Sequence, residues 1–260
     1  MGDTAGVAEE NMGRELDLQA ESRVFLGDGT VFYNPPQLQG ITTDSVLLAA
    51  YAAERLRALR GEVCDLCSGS GLISLLLARR CAGVRLHGVD ADAEACRCYQ
   101  KNAGENGLAP RLGATRCDAA EVRAHFPAGR FAAAVANPPY YEAGRGAASP
   151  DPARRAARQG CALETLLAAA AYLLKNGGSL WLCFPAERTA ELFCRMSEAK
   201  IEPKRMRFVA HTAEKEPSIV LAGGVKGAAA GIRCERTLVL YERDGRMTDE
   251  CAAIYGAPYR

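Results

Sequence analysis

Apolar positions recur along this chain at two different periods. Between Glu62 and Pro185, short runs ("EVCDLCS", "VRLHGVD", "ATRCD", "FAAAVANPP" and "SLWLCFP") alternate with stretches in which apolar residues return every three or four positions: "GLISLLLARR", "AEACRCYQKNAGENG", "AAEVRAHF" and "ALETLLAAAAYLLK". The former predict buried strands, and the latter helices that pack by one face. The second of these helices should stop at Gly107, and Gly177-Gly178 should cap the last. Beyond Pro185, "AERTAELFCRMSEAK" reads as a helix, and "PKRMRFVAH", "SIVLAGG" and "RTLVLYE" as late strands. Upstream, "RVFLGDGTVFY" sets two apolar runs around Gly-Asp-Gly, a hairpin signal. "ITTDSVLLAAYAAERL" opens with Thr and Asp capping residues, so a helix should begin near Asp44. Repeated strand-helix-strand units predict an α/β fold: a doubly wound, mostly parallel, Rossmann-like sheet with an antiparallel C-terminal edge. The expected organisation is a loose N-terminus over 1–20, a hairpin and helix extension over 21–60, and the sheet domain over 61–260.

Composition narrows the setting. At 260 residues, with 48% hydrophobic and 24% charged positions, the chain can bury a sizeable core. The formal charge of +1 means that any nucleic-acid binding must come from a local patch rather than from the whole molecule. The 11 cysteines fall mostly inside apolar runs and read as thiols in a reducing, cytoplasmic setting. The polar, acidic N-terminus does not look like a secretory signal, and no apolar run is long enough for a membrane span.

The candidate chemistry lies at the strand ends. "DLCSGSG" (Asp65–Gly71) joins the first strand to the first helix, and Gly69 and Gly71 allow a tight turn and close approach by a ligand. A dinucleotide fingerprint would place a third glycine where Ser74 stands, and no Gly-Lys-Ser/Thr follows, so neither a pyrophosphate nor a triphosphate loop is indicated. Asp90 ends the second strand at about the spacing of an acid that accepts from ribose hydroxyls, and Asp118 closes the third. A ligand with a ribose, an adenine edge and an amino-acid head suits these acids.

"AVANPPYYE" ends the fourth strand beside the same pocket. Pro138 lacks an N–H and biases Asn137 towards an extended backbone. Two fixed acceptors, the Asn137 side-chain carbonyl and the Pro138 backbone carbonyl, suit an exocyclic amine, and Tyr140 can stack on a planar ring. Accepting the amine's hydrogens as it pyramidalises would make it a better nucleophile, with no metal and no covalent intermediate.

Asp65, Gly69, Gly71, Asp90, Asp118 and Asn137-Pro138-Pro139-Tyr140 together resemble the amino-group methyltransferases that use S-adenosyl-L-methionine. "TTDSVLLAAYA", the segment "NPPYYEAGRGAASPDPARRAAR" and the tail "PSIVLAGGVKG…RTLVLYERDGRMTDECAAIYG" look more narrowly like the bacterial tRNA adenine-N6 methyltransferases, which act on an anticodon-loop adenine of a valine tRNA. The resemblance covers roughly residues 20–257. It implies a methyltransferase sheet over 61–260. It also implies that Asp65, Gly69 and Gly71 lie against the methionine part of the cofactor, with Asp90 on the ribose and Asp118 on the adenine amino group. Thr43 and Asp44 would border the cofactor, as would Asn137, while Asn137, Pro138, Pro139 and Tyr140 hold the target base. One departure is Gln159-Gly160 after Arg158, where relatives tend to carry His-Glu.

Other features are weighed against this reading. Cys64-x-x-Cys67 is not expected to bind zinc, because residues three apart on a strand face opposite ways and no further ligands complete the set. His87, His125 and His211 are isolated and read as structural. Arg145, Arg154, Arg155 and Arg158 in the loop after Tyr140, with Lys204, Arg205 and Arg207 later, are candidate phosphate contacts for a tRNA partner. A monomer or weak homodimer is expected. Alternatives sharing the tetrapeptide are a protein glutamine methyltransferase and an rRNA guanine-N2 methyltransferase; a non-catalytic RNA-binding protein could also keep the fold.

Overall fold

The computed structural model describes residues 23–25, 29–35, 38, 40–138 and 162–256. A small antiparallel pair, β1 (Arg23–Phe25) and β2 (Val31–Tyr33), precedes a nine-stranded sheet. Its strands are β3 (Gly61–Leu66), β4 (Val84–Asp90), β5 (Leu112–Arg116), β6 (Phe131–Ala136), β7 (Leu174–Pro185), β8 (Ile201–Ala210), β9 (Ile219–Lys226), β10 (Arg233–Cys234) and β11 (Leu238–Val239). They run in the order β10-β8-β9-β7-β6-β3-β4-β5, with β11 also beside β8. Neighbours from β5 to β7 are parallel, while β9 is antiparallel to both β7 and β8. The expected doubly wound sheet with an antiparallel C-terminal edge is therefore present. Its switch point lies between β3 and β6, where open α/β sheets leave a crevice at the strand C-termini.

The sheet is buried on both faces, and the period of two along each strand sorts its side chains. Val63, Ala133, Val135, Trp181 and Cys183 face one core with helices α1 (Thr43–Leu56) and α2 (Leu72–Arg80). Cys64, Leu66, Ala134, Ala136, Leu180, Leu182 and Phe184 face the other, beneath α5 (Leu163–Leu173) and α6 (Thr189–Glu198). Between these come α3 (Ala93–Glu105) and the short α4 (Val122–His125), and α7 (Asp249–Tyr255) ends the described chain.

Most predicted elements are present, with informative shifts. The first long helix is capped by Thr42, whose hydroxyl accepts from the Ser45 N–H. Gly177-Gly178 cap no helix: α5 stops at Leu173 and β7 begins at once with Leu174. The β6–β7 register jumps between Phe131 and Ala133, and the glycines absorb it. Gly177 adopts φ +76°, and a Cβ on Gly178 would meet the Lys175 carbonyl at 2.8 Å. β5 ends at Arg116, so Asp118 lies beyond the strand that it was expected to close. α7, capped by the Thr248 hydroxyl with Asp249 and Glu250 in its first turn, was not anticipated.

The hairpin is tied to the sheet domain through two asparagines of helix α3 and its cap. The Asn106 Oδ1 accepts from the Val31 N–H (3.0 Å), and its Nδ2 donates to the Val31 carbonyl (2.7 Å). Asn102 does the same for Tyr33 (2.7 and 2.9 Å) and donates again to the Ser70 carbonyl at 2.9 Å. The spacing explains the fit. Residues four apart on a helix are separated by about 6 Å along its axis, and residues two apart on a strand by about 6.7 Å. Two side-chain amides thus stand in for a neighbouring strand. Because Asn102 is fully buried, Asn102→Ala should strand three backbone groups and cost about 1–3 kcal/mol. Hydrogen exchange should then show loss of protection at Val31–Tyr33 with the β3–β7 amides still protected; unchanged hairpin protection would contradict the clamp.

Candidate active site

The crevice at the switch point lies between the loop after β3 and Asn137-Pro138 after β6. Leu66 pairs with Ala136, and Ala136 with Leu182, so Asn137 and the buried Cys183 stand abreast on one face while Cys67 begins the loop after β3. The loop carries unusual backbone: Cys67 at φ +57°, Gly69 at +52° and Gly71 at +86° are all left-handed. A cysteine in this region is strained, and such strain collects at ligand sites.

The two glycines expected to make room for a ligand play different parts. Among the described residues nothing lies within 4 Å of where a Cβ on Gly69 would stand, so its outer side is left open by them. A Cβ on Gly71 would lie 2.5 Å from the Tyr99 ring, and one on Gly88 2.6 Å from the same ring. Gly71 therefore admits a side chain of this chain, Tyr99 of α3, and Tyr99 in turn props the loop from below.

The acids also separate. Asp65 lies on the α1–α2 face of β3, wholly buried, with one carboxylate oxygen accepting from the Ser74 hydroxyl at 2.7 Å. Its other oxygen is buried without a hydrogen-bond partner, as is the Ser68 hydroxyl. Burial, with no cation to offset it, pushes the Asp65 carboxyl up to about 7. Asp65 thus sits beneath the loop rather than on its open side. Asp90 ends β4 half-buried; its Oδ2 accepts from the Gly69 N–H (2.8 Å) and its Oδ1 from the Asp92 N–H (2.9 Å). Each oxygen keeps a second lone pair for a ligand hydroxyl. Burial raises its pKa also, ahead of the two backbone hydrogen bonds that lower it. Asp118 is exposed and caps a short 3₁₀ turn through the Ala120 N–H at 2.8 Å. Thr43 is exposed at the first turn of α1, and Asp44 beside it is half-buried, its pKa raised by burial.

Asn137 follows β6 on the α1 face of the sheet. Its Nδ2 donates to the Ser45 hydroxyl at 2.8 Å, and its Oδ1 accepts from the Cys183 thiol at 2.8 Å. Pro138 behind it is buried. The N-terminal segment reaches the same loop: the Ser70 hydroxyl donates to the Asn34 Oδ1 at 2.7 Å. Ser45, Cys183, Ser74, Ser70 and Tyr99 are site or supporting residues that sequence reasoning missed. Only Ser74 left a trace, as the polar position inside "LISLLLA".

The late cations are already engaged. Arg205 forms an ion pair with Glu235, each side chain 16% exposed, and the Tyr51 hydroxyl donates to the same carboxylate. Arg207 is paired with Glu250 and donates to the Arg236 carbonyl. Both lie on the inward, α1 side of β8, because alternate residues of a strand share a face, and the expectation of free phosphate contacts there is corrected accordingly. Lys204 donates to the Ala229 carbonyl at 3.0 Å. Pro139, Tyr140, Arg145, Arg154, Arg155 and Arg158 lie outside the described residues.

A parallel sheet with an open glycine turn at its switch point, an acid on the next strand end and an asparagine-proline pair at the end of the facing strand defines the class of S-adenosyl-L-methionine-dependent methyltransferases. The chain belongs to the methyltransferase small domain family, whose model matches residues 40–199. Among curated proteins it is similar to two named tRNA1(Val) (adenine(37)-N6)-methyltransferase. That of Porphyromonas gingivalis is 31% identical over 187 residues, 70% of this chain and 72% of that protein. That of Aeromonas hydrophila is 33% identical over 213 residues, 80% and 85% of the two. Solved structures share the fold. A predicted O-methyltransferase from Agrobacterium tumefaciens superposes with a TM-score of 0.66 at 17% identity, covering 82% of this chain and 95% of that one. A 16S rRNA N2 methyltransferase from T. thermophilus, in complex with AdoMet and guanosine, gives 0.55 at 22% identity, covering 78% and 49%. Among the described residues no helix is long and apolar enough to cross a membrane, and every cysteine is a free thiol.

The buried acid beneath the loop sets a pH dependence. A carboxyl with its folded pKa raised to about 7 keeps its proton when the unfolded chain has lost it. Its stabilising effect is complete below the unfolded value near 4 and is lost as pH rises towards 7, at up to about 1.4 kcal/mol per pH unit. Urea unfolding of the ligand-free protein should show this decline between about pH 4 and 7, and Asp65→Asn should remove that part of the slope. Parallel pH profiles for the parent and the variant would overturn the assignment.

Proposed function

We propose that this chain transfers a methyl group from S-adenosyl-L-methionine to the exocyclic N6 of an adenine in tRNA, the anticodon loop of a valine tRNA being the expected target. The observation that carries the reading is Asn137: its amide is held at the switch point, at the end of β6 next to the end of β3 from which the Gly69 loop leaves, on a strand end that Pro138 continues. The names of the curated relatives supply the substrate class.

The residues present fit the cofactor. Asp90 retains acceptor capacity on both oxygens and has no cation partner among its close contacts, which suits a ribose diol. The open face of Gly69 leaves room for the methionine part, with the adenine amino group assigned to Asp118 and the border of the cofactor to Thr43 and Asp44. When bound, S-adenosyl-L-methionine supplies an electrophilic methyl carbon.

The rest falls to this chain's own groups. An adenine amine is a poor nucleophile because its lone pair is delocalised into the ring. The Asn137 Oδ1 and the Pro138 carbonyl accept its two N–H bonds, which favours the pyramidal nitrogen in which the lone pair is localised and aims it along one line. With S-adenosyl-L-methionine bound, its methyl group would pass from sulfur to that nitrogen, and the surplus proton would leave the nitrogen for water. No metal is called for in this scheme. Tyr140 stacks on the base, Pro139 stiffens the turn, and Arg145, Arg154, Arg155 and Arg158 contact phosphates. One chain supplies every residue invoked, consistent with a monomer or weak homodimer.

Three experiments test this reading. Asn137→Ala should leave cofactor affinity nearly intact and remove methyl transfer to unmodified tRNA in a single-turnover assay, since its contacts matter in the transition state. Asp90→Ala should do the opposite, weakening the cofactor about tenfold or more by calorimetry. Normal transfer by the first variant would sink the mechanism, and an unchanged dissociation constant in the second would remove Asp90 from the cofactor site. Replacing Arg154, Arg155 and Arg158 with Ala should weaken tRNA binding and flatten its salt dependence, which is about −0.7 per single-strand phosphate in log–log slope. Filter binding that matched the parent in affinity and slope would take the loop out of the RNA contact.

A further inference from the structure

We infer that Ser45 and Cys183 are positioning residues for methyl transfer: together they set which end of the Asn137 amide faces the incoming amine. This rests on the reading of Asn137 given above and adds two residues to it from separate elements, α1 and β7.

The argument begins with a degeneracy. A primary amide is nearly symmetric in shape, but its two ends are opposite in chemistry: Oδ1 accepts and Nδ2 donates. Turned about, Asn137 would meet the substrate amine with a donor, and the acceptor on which the reaction depends would point into the protein. Something must hold the amide one way.

The hydroxyl of Ser45 and the thiol of Cys183 meet its two ends, each at 2.8 Å. A hydroxyl alone could serve either end, since it both donates and accepts. Ser45 is constrained further, because its Oγ lies 3.0 Å from the Thr42 Oγ1, and Thr42 is the cap that also receives the Ser45 N–H at 3.3 Å. Either hydroxyl of that pair can donate; the arrangement in which Ser45 donates to Thr42 leaves its lone pairs for the Asn137 Nδ2. At the other end, a thiol is a weak donor and a weak acceptor, but Oδ1 can only accept and Nδ2 only donate, so the S–H proton is used only when Oδ1 faces Cys183, as it does here. The two preferences agree. Oδ1 retains a second lone pair, which is the one available to the amine.

The fold explains why these residues meet. Ala136 pairs with Leu182, so the next residues along, Asn137 and Cys183, stand abreast on one face of the sheet. Helix α1 packs on that face, and its cap places Ser45 at the helix end nearest the crevice. Both partners are sheltered from water, Ser45 at 9% exposure and Cys183 at 0%, so solvent does not replace a lost bond.

The test compares the parent, Ser45→Ala, Ser45→Thr and Cys183→Ala, with Asn137→Ala as reference. Single-turnover transfer at saturating tRNA is measured alongside the dissociation constants of cofactor, by calorimetry, and of tRNA, by filter binding. Ser45→Ala should slow transfer by about 10- to 100-fold, the scale of a small misplacement of a reacting group, with both dissociation constants within about twofold of the parent, below the tenfold that one lost charged contact would give. Ser45→Thr, which restores the hydroxyl, should recover most of the rate, and Cys183→Ala should slow transfer with the same unchanged affinities. A merely structural role would move the affinities and would not be rescued by Thr. Should Ser45→Ala fail to bind cofactor, Cys183→Ala carries the test alone. If Asn137→Ala loses transfer while Ser45→Ala and Cys183→Ala keep it, the positioning role is overturned and the reading of Asn137 stands. If Asn137→Ala itself transfers normally, both fall.

Discussion

The register of β3, β6 and β7 at the switch point is the constraint on which the site depends. Leu66, Ala136 and Leu182 lie in one row across the sheet. One residue further along β6 and β7, the chain delivers Asn137 and Cys183 together on the α1 face, while Cys67 opens the loop after β3. Since side chains on a strand alternate, a slip of one residue in β6 would turn Asn137 towards α5 and α6, away from Ser45. Burial on both faces holds the register: Val135 and Ala136 point into different cores, and neither could exchange places without leaving a mismatched volume on each side. The irregularity that the sheet does tolerate, at Gly177-Gly178, lies at the opposite end of the β6–β7 pair, where no site residue is displaced.

Around that fixed row the cofactor loop is shaped from beneath as much as from above. Tyr99 presses against the backbone of Gly71 and Gly88, so two glycines in different elements serve one ring. Asp65 and Ser74 tie the floor of the loop to α2, and the Gly69 N–H is held by Asp90. The cost appears in the Asp65 carboxyl, which burial makes reluctant to ionise. A fold that needed only stability would place an apolar residue there.

The hairpin shows how a short, weak element can belong to a site. A two-stranded ribbon of three-residue strands has little stability of its own. Asn102 and Asn106 supply the missing neighbour, and the same Asn102 amide grips Ser70 in the cofactor loop. Hairpin, loop and α3 are thus joined at one buried side chain, and anything that loosens the hairpin is felt at the loop.

The alternation of buried strands and amphipathic helices was enough to determine the doubly wound sheet, its antiparallel edge and the strand ends that bear Gly69, Asp90 and Asn137, because those features follow from local period and from turn chemistry. Asn137-Pro138 was legible for the same reason: proline acts on its own neighbours. What only the tertiary structure decided involves residues distant in sequence. The pairing of Asn137 with Ser45 and Cys183, the seat of Tyr99 behind Gly71, and the clamp from Asn102 to Tyr33 depend on strand register and helix docking, which no local pattern encodes. The same holds for the errors. Arg205 and Arg207 read as a basic patch along the chain, but β8 turns both inward, and carboxylates from β10's flank and from α7 reach them. Asp118 read as a strand end, whereas the chain leaves the sheet two residues earlier. Charge and residue type are written locally; whether a charge is free, or an acid faces a ligand, depends on what the rest of the fold brings against it.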